Sequence, residues 1–181
     1  MLLLRRASKT LALMCSFLLS EPTHASNVPI HPDTNPGWRH VASLAELTEV
    51  LDEWLDINSS YGRSSRQLTV RLVNRSELPA LIGAASRIGT RTRGLYDPES
   101  GLIALIRPWE PERAQDVSVL LHELVHHRQV DARHWYCPGA QEPDAYALQQ
   151  TWLAERGLTL NANRIAIVLE AGCAPRDIHP D

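Results

Sequence analysis

The sequence predicts an α+β fold, and the order of its hydrophobic patterns carries that prediction. Residues 43–56 place apolar side chains at helical spacing, and residues 67–73 alternate apolar with polar side chains as a half-buried strand does. Residues 94–107 then place turn-forming residues between two apolar runs, which indicates a β-hairpin. Helical patterns follow at residues 112–130 and 141–156. A small sheet packed against helices is therefore expected.

The first helix begins at a capping box. Ser43 and Glu46 stand three residues apart, so each side chain can bind a backbone N–H at the start of the helix. The apolar residues of this helix recur at helical spacing, which predicts one buried face. They are Leu44, Leu47, Leu51, Trp54 and Leu55.

Three shorter elements complete the domain. Residues 76–86 predict a short helix, since Pro79 is tolerated in a first helical turn. Residues 97–101 contain Asp, Pro, Ser and Gly and form the turn of the predicted hairpin. A last helix is predicted at residues 161–171, where Gly172 marks its end.

The size and charge of the chain restrict its function class. A chain of 181 residues with 44% hydrophobic residues suggests one domain with enough apolar material for one core. The net charge is -3, and the basic residues are scattered rather than grouped. Because a nucleic-acid binder normally presents a basic face, no nucleic-acid partner is expected.

Residues 1–25 have the pattern of a signal peptide. A basic start and a short apolar run at residues 11–19 precede the small residues Thr23 and Ala25, after which cleavage is expected. The run is shorter than the roughly 20 residues of a membrane span, so no stable span is expected after cleavage. The alternative is an uncleaved anchor or a buried N-terminal helix. The pattern predicts an exported protein, either periplasmic or secreted.

The predicted cleavage sets the domain boundaries and leaves two cysteines. Residues 26–40 are rich in Pro, Asn and His and predict an extended leader, residues 41–175 the folded domain, and residues 176–181 a tail. Cysteines in an oxidising compartment tend to pair, which predicts a disulfide between Cys137 and Cys173. Two free buried thiols are the alternative.

One motif carries chemistry. His122 and His126 stand four residues apart, so a helix presents both imidazoles on one face, where they can bind a single zinc ion. Glu123 lies beside them without sharing that face, which is the position of a general base for a zinc-activated water. Two histidines at this spacing also occur by accident in helices. The apolar helical setting and the preceding hairpin favour the zinc site.

A catalytic zinc site needs a third protein ligand and one open position. Glu142 is the main candidate, because it opens the next predicted helix after a loop that contains Pro and Gly. His127 is expected to point about 100° away from its neighbour in the motif and should not share the metal. Other candidates on the residues alone are Asp131, Asp144 and His134.

The motif resembles that of a known family. His122-Glu123-x-x-His126, followed by Glu142-x-x-Ala145, is similar to the gluzincin metallopeptidases, above all to small single-domain members and to uncharacterised exported bacterial proteins of this kind. The resemblance implies a minimal zincin-like fold, one zinc ion per chain, His122, His126 and Glu142 as its ligands, and Glu123 as the base.

The resemblance covers about residues 94–156 and has one departure. Many members carry Asp where this chain has Tyr146, and that Asp binds a zinc-ligating histidine. Tyr146 could instead donate a hydrogen bond to the oxyanion of a hydrolytic reaction, or serve as a core aromatic residue. The resemblance also implies that residues 102–106 form the strand at the edge of the substrate cleft.

The sequence therefore predicts a zinc-dependent hydrolase, with a peptide or protein as the expected substrate. One alternative is a non-catalytic module whose zinc site is closed by a fourth protein ligand, with His134 or Asp131 completing it. Another is an amidase that acts on a non-peptide substrate. No pattern in the sequence indicates an oligomeric state.

Overall fold

A computed structural model of the chain describes residues 36–82 and 92–172. Within these ranges, helices pack on a small three-stranded sheet, so the α+β prediction is confirmed. The elements are α1 (Leu44–Asn58), β1 (Thr69–Val73), α2 (Leu78–Ile82), β2 (Gly94–Asp97), β3 (Leu102–Ile106), α3 (Ala114–Ala132), α4 (Glu142–Ala154) and α5 (Arg164–Ala171).

The sheet has the order β1-β3-β2, so β3 is its central strand. β3 pairs in parallel with β1 and antiparallel with β2, and all its residues are buried. The expectation that residues 102–106 form the edge of a cleft is therefore wrong. Their unbroken apolar run is typical of a strand covered on both faces. β2 is an edge strand of the described sheet, and it packs against α3.

The capping box at the start of α1 forms, with one change. Ser43 Oγ accepts a hydrogen bond of 3.1 Å from the N–H of Glu46, as expected. The Glu46 carboxylate accepts its bond, 2.7 Å long, from the N–H of Ala42. The predicted apolar face packs into the core, where Leu47, Leu51, Trp54 and Leu55 are buried.

The core extends into the segment that the sequence analysis assigns to an extended leader. Pro36–Arg39 form a 3-10 helix, and Trp38 is only 1% exposed. The Trp38 ring packs edge-on against that of Trp152 on α4, with centroids 5.4 Å apart. Extended structure is thus the wrong assignment for these residues, because the burial of one tryptophan in a polar stretch leaves no periodic pattern.

The predictions that depend on export fall largely outside the described residues. Cys137 is disulfide-bonded, but Cys173 lies outside the described residues, and its pairing with Cys137 stays a prediction. The signal peptide at residues 1–25 and the tail at residues 176–181 also lie outside them. Within the described ranges, no helix is both long enough and apolar enough to cross a membrane.

Candidate metal centre

The helix that carries the motif is held at its N-terminus by a buried carboxylate. Asp116, which is 4% exposed, accepts a hydrogen bond of 2.7 Å from Arg93 and one of 3.1 Å from the N–H of Glu110. Trp109 donates to the Asp116 carbonyl at 2.6 Å. These bonds tie the loop before α3, and the segment before β2, to the first turn of α3. Asp116 therefore fixes the helix and does not contact the motif histidines.

His122, His126 and Glu142 converge on one point between α3 and α4. The two Nε2 atoms are 3.1 Å apart, and the Glu142 carboxylate oxygens lie 3.3 Å from His122 Nε2 and 3.5 Å from His126 Nε2. Donors bound at about 2.0–2.2 Å to a tetrahedral zinc ion lie roughly 3.3–3.6 Å from one another. The two distances to Glu142 lie in this range and the distance between the imidazoles is slightly shorter, so the three side chains could hold one metal ion. They are the cluster of possible ligands found among the described residues.

Burial and charge favour a divalent cation at this point. Both histidines are buried, while the Glu142 side chain is 28% exposed. Burial acts to raise the pKa of Glu142, but hydrogen bonds from His122 and His126 outweigh it and hold that pKa well below its usual value. Burial acts to lower the pKa of His126, and the neighbouring carboxylates of Glu142 and Glu123 raise it overall. The site therefore combines an ionised carboxylate with two imidazoles.

The rival carboxylates have partners elsewhere. Asp131 accepts hydrogen bonds from Ser64 at 2.6 Å and from Arg66 at 2.8 Å. Asp144 accepts a short hydrogen bond from the Tyr61 hydroxyl. Neither belongs to the ligand cluster. Because its carboxylate binds Tyr61, Asp144 does not orient either motif histidine.

The rival histidines also lie away from the ligand cluster. His127 points to the sheet, where its Nδ1 lies 3.1 Å from the Tyr96 hydroxyl, as the angular offset on the helix predicts. His134 is exposed and packs against Tyr136 with ring centroids 6.1 Å apart. No fourth protein donor joins the three ligands within the described part of the chain.

Glu123 lies beside the cluster, against the edge strand β2. Glu123 is 6% exposed, and the backbone of Tyr96 acts to lower the pKa of its carboxyl. Burial raises the pKa of Glu123, and the proximity of His122 and His126 only partly offsets this. Gly94 makes room for the carboxylate, because a Cβ at that position would lie 2.7 Å from Glu123 Oε1. A buried carboxyl with a raised pKa suits proton transfer.

Tyr146 lies beside the cluster, and the expected hydrogen bond from its hydroxyl to an oxyanion stays a prediction. Its half-buried ring packs on that of His122, with centroids 4.5 Å apart and planes tilted by 59°. The Nδ1 atom of His122 is buried and has no hydrogen-bond partner among the described residues. Position 146, where this chain departs from the pattern that it resembles, thus lies beside the histidine whose Nδ1 has no partner in that part of the chain.

An apolar groove begins at Tyr146. It has a volume of about 360 Å³ and lies between α4, α5 and the segment that joins them. None of the described residues that line it is charged. Its walls are formed by Pro143, Tyr146, Ala147, Gln150, Leu160, Ala162, Ile167 and Val168. The site therefore adjoins a space suited to an apolar group.

Gln129 also belongs to the site, although it is not among the site residues predicted from the sequence. Its Oε1 lies 2.9 Å from His126 Nδ1, and its Nε2 donates a hydrogen bond of 3.0 Å to the Gln141 carbonyl. The available signal is its spacing, since residues three apart on a helix are neighbours. Gln129 thus provides a hydrogen-bond partner for the Nδ1 atom of His126.

Comparisons with known proteins identify the family but no activity. Comparison with curated proteins and with solved structures gives no match. A family model described as a domain of unknown function (DUF6647) matches residues 40–181, a range that contains every residue of the ligand cluster. Because this match covers more than half of the chain, the chain belongs to the DUF6647 family.

Proposed function

We propose that this chain is a zinc-dependent hydrolase with a zincin-like site of gluzincin type, and that it acts as a metallopeptidase. The observation that carries the proposal is the convergence of His122, His126 and Glu142, with Glu123 buried beside them. Two imidazoles and one carboxylate are a ligand set typical of catalytic zinc. A buried carboxyl next to that set supplies the group that moves protons.

In the proposed reaction, Glu123 transfers the proton and Tyr146 contacts the substrate. When bound, zinc supplies the Lewis acidity that makes water a nucleophile near neutral pH. Glu123 takes a proton from the attacking water as the new C–O bond forms at the scissile carbonyl. Glu123 then delivers that proton to the amide nitrogen as the C–N bond breaks, so the products are a carboxylic acid and an amine. Tyr146 is placed to contact the substrate beside His122.

The edge strand supports a peptide as the substrate. Gly94 in β2 lies directly against the Glu123 side chain, so β2 adjoins the site. β2 pairs only with β3 among the described strands. An extended peptide can add to such an edge as a further strand, which would bring a backbone carbonyl past Glu123.

The number of protein donors among the described residues favours a catalytic zinc site over a purely structural one. A structural site is closed by four protein ligands, whereas a catalytic site keeps one position for water or substrate. The described residues supply three donors, because Asp131 is bound to Arg66 and His134 is exposed beside Tyr136. Three donors from the described residues are the number of protein ligands that a catalytic zinc site uses, which supports a hydrolase.

The metal content of the purified protein tests this proposal. We expect about one zinc ion per chain in the wild type, and its loss in both His122→Ala and Glu142→Ala. The control is His134→Ala, which removes an exposed histidine outside the cluster and should retain zinc. Mass spectrometry of the metal in folded samples measures all four. A folded wild type that takes up no zinc when zinc is supplied would end the proposal.

Gly94 is expected to be required for the position of Glu123. In Gly94→Ala, the added Cβ would lie 2.7 Å from both Glu123 Oε1 and Val119 Cγ1, so the buried carboxylate must move. A displacement of about 1 Å at a reacting group costs on the order of 10²-fold in rate. We expect such a loss of peptide hydrolysis, measured on quenched fluorescent peptides, with unchanged zinc content. Gly62→Ala is the control, since open space surrounds Gly62. Equal rates in the two variants would contradict the assigned role.

The groove beside Tyr146 is expected to select the substrate. Because the described residues that line it are uncharged, a charged side chain would lose its hydration beside them without gaining an ionic partner among them. Peptides with a large apolar residue next to the scissile bond should be cleaved at least about 10-fold faster than peptides with Asp there. Ala147→Trp, which narrows the groove, should reduce this preference. A wild-type preference for Asp would contradict the assignment.

A further inference from the structure

We propose that Gln129 is the positioning residue of the metal centre, which sets the tautomer of His126 and fixes it relative to the helix that carries Glu142. This inference rests on the proposed zinc site. Gln129 lies on α3 and is fully buried, with 0% of its surface exposed. A buried amide must satisfy its donor and acceptor groups within the protein, so its hydrogen bonds are well defined.

The orientation of the amide follows from one partner. The Gln141 carbonyl can only accept, so the nitrogen of the Gln129 side chain must face it, at 3.0 Å. The oxygen, Oε1, therefore faces His126 Nδ1 at 2.9 Å. Since Oε1 can only accept, Nδ1 carries the proton and donates it. The Nε2 atom of His126 is then the one with a lone pair to offer a metal, and it is the atom that faces Glu142.

The same side chain joins two ligands that lie on different helices. Gln141 directly precedes Glu142, so the bond from Gln129 holds the start of α4 against α3 at the level of the site. The backbone carbonyl of Gln129 also accepts a hydrogen bond of 2.8 Å from Trp135 Nε1, which fixes the loop between the helices. Loss of the Gln129 amide should therefore loosen two of the three ligands relative to each other.

The chain contains a matched control for this residue. Gln149 on α4 is also buried, at 5% exposure, and its Nε2 donates to Ser118 Oγ on α3 at 3.0 Å. Both glutamines thus form a side-chain amide hydrogen bond between α3 and a neighbouring element, which is α4 for Gln149 and the residue directly before α4 for Gln129. Gln149 has no contact with the ligand cluster in the hydrogen bonds described. A general loss of packing between the helices should affect both variants, whereas a metal-specific role should affect only Gln129.

The test compares zinc affinity in Gln129→Met and Gln149→Met, measured by competition with a chromophoric chelator. We expect Gln129→Met to bind zinc about 10- to 100-fold more weakly than the wild type, as is usual when a partner of a metal-ligating histidine is lost. Gln149→Met should bind zinc as the wild type does, although both metal-free variants should show similar decreases in Tm. Equal zinc affinities in the two variants would overturn the inference. A wild type that binds no zinc would instead remove the proposed function on which the inference rests.

A second variant separates the tautomer from the tie between the helices. Gln129→Glu keeps an acceptor for His126 Nδ1 but loses the donor to Gln141. If the tautomer governs affinity, Gln129→Glu should recover most of the affinity that Gln129→Met loses. In the zinc-loaded wild type and in Gln129→Glu, nitrogen NMR should find a protonated Nδ1 on His126 that exchanges slowly with solvent. An affinity for Gln129→Glu as weak as that of Gln129→Met would overturn the role of the tautomer.

Discussion

Replacing Glu123 by Gln is expected to reduce peptide hydrolysis by about 10²- to 10⁴-fold while the protein keeps its zinc. The substitution preserves the size of a side chain that is buried against Gly94 and the Tyr96 backbone. It removes the only property that the mechanism needs, which is the ability to take a proton and return it. The ligands are other residues, so the metal content should not change.

The measurement compares cleavage of a mixture of quenched fluorescent peptides by equal amounts of zinc-loaded wild type and Glu123→Gln. Glu53→Gln on α1 is the matched control, because it makes the same change on an exposed side chain. The control should keep the wild-type rate. An unchanged rate in Glu123→Gln with one zinc per chain would show that another group moves the proton, and the proposed mechanism would then be wrong.

The motif shows which part of a metal site local sequence determines. His122 and His126 share a face of α3 because of helical geometry alone, whatever surrounds the helix. Glu142 is different, since it reaches the histidines only if the chain reverses between α3 and α4. Asp131 and Asp144 are excluded by long-range partners, Arg66 and Tyr61, that no local pattern reveals. A ligand from a second helix therefore needs tertiary structure to be distinguished from its rivals.

The difference between local and long-range information also explains which parts of the fold were predicted wrongly. The hairpin is predictable because turn residues separate two apolar runs. Its position in the sheet is not predictable, because it depends on pairing with a strand far away in the sequence. β3 is central because β1 adds to its other side in parallel, across a long separation in sequence. Trp38 and Gln129 are single residues whose burial depends on partners far along the chain or on a neighbouring helix. Hydrophobic periodicity predicts the buried faces of helices and strands, whereas a single buried residue produces no periodic pattern.

Arg128 is another single buried residue with long-range partners, and its replacement has the largest expected effect on stability. Arg128 on α3 is 1% exposed. It donates to the Asp52 carboxylate at 2.9 Å, to the Asp56 carboxylate at 2.8 Å and to the Tyr61 carbonyl at 3.0 Å. These bonds join α1 and the loop after it to α3. Arg128 is not predictable as a buried residue from the sequence, because its position beside the motif gives no sign that α1 packs there.

Replacing Arg128 by Met is expected to lower the free energy of unfolding by about 3 kcal/mol. Removing one partner of a buried ion pair costs roughly 3–5 kcal/mol. The lower end applies here because the Asp52 and Asp56 side chains are 16% and 43% exposed and stay partly hydrated. Urea denaturation of the metal-free protein measures the change. Arg71→Met, on an exposed side chain of β1, is the control and should change stability by no more than about 0.5 kcal/mol.

The position of Arg128 also predicts what the substitution should leave intact. Arg128 is two residues beyond His126, so its side chain leaves the helix about 200° away from the ligand face. One face of α3 thus holds the ligands and Gln129, and the opposite face holds the anchor to α1. Below its unfolding transition, Arg128→Met should therefore bind zinc with the affinity of the wild type. A loss of zinc affinity in the folded variant, measured by chelator competition, would show that the two faces are coupled through the helix.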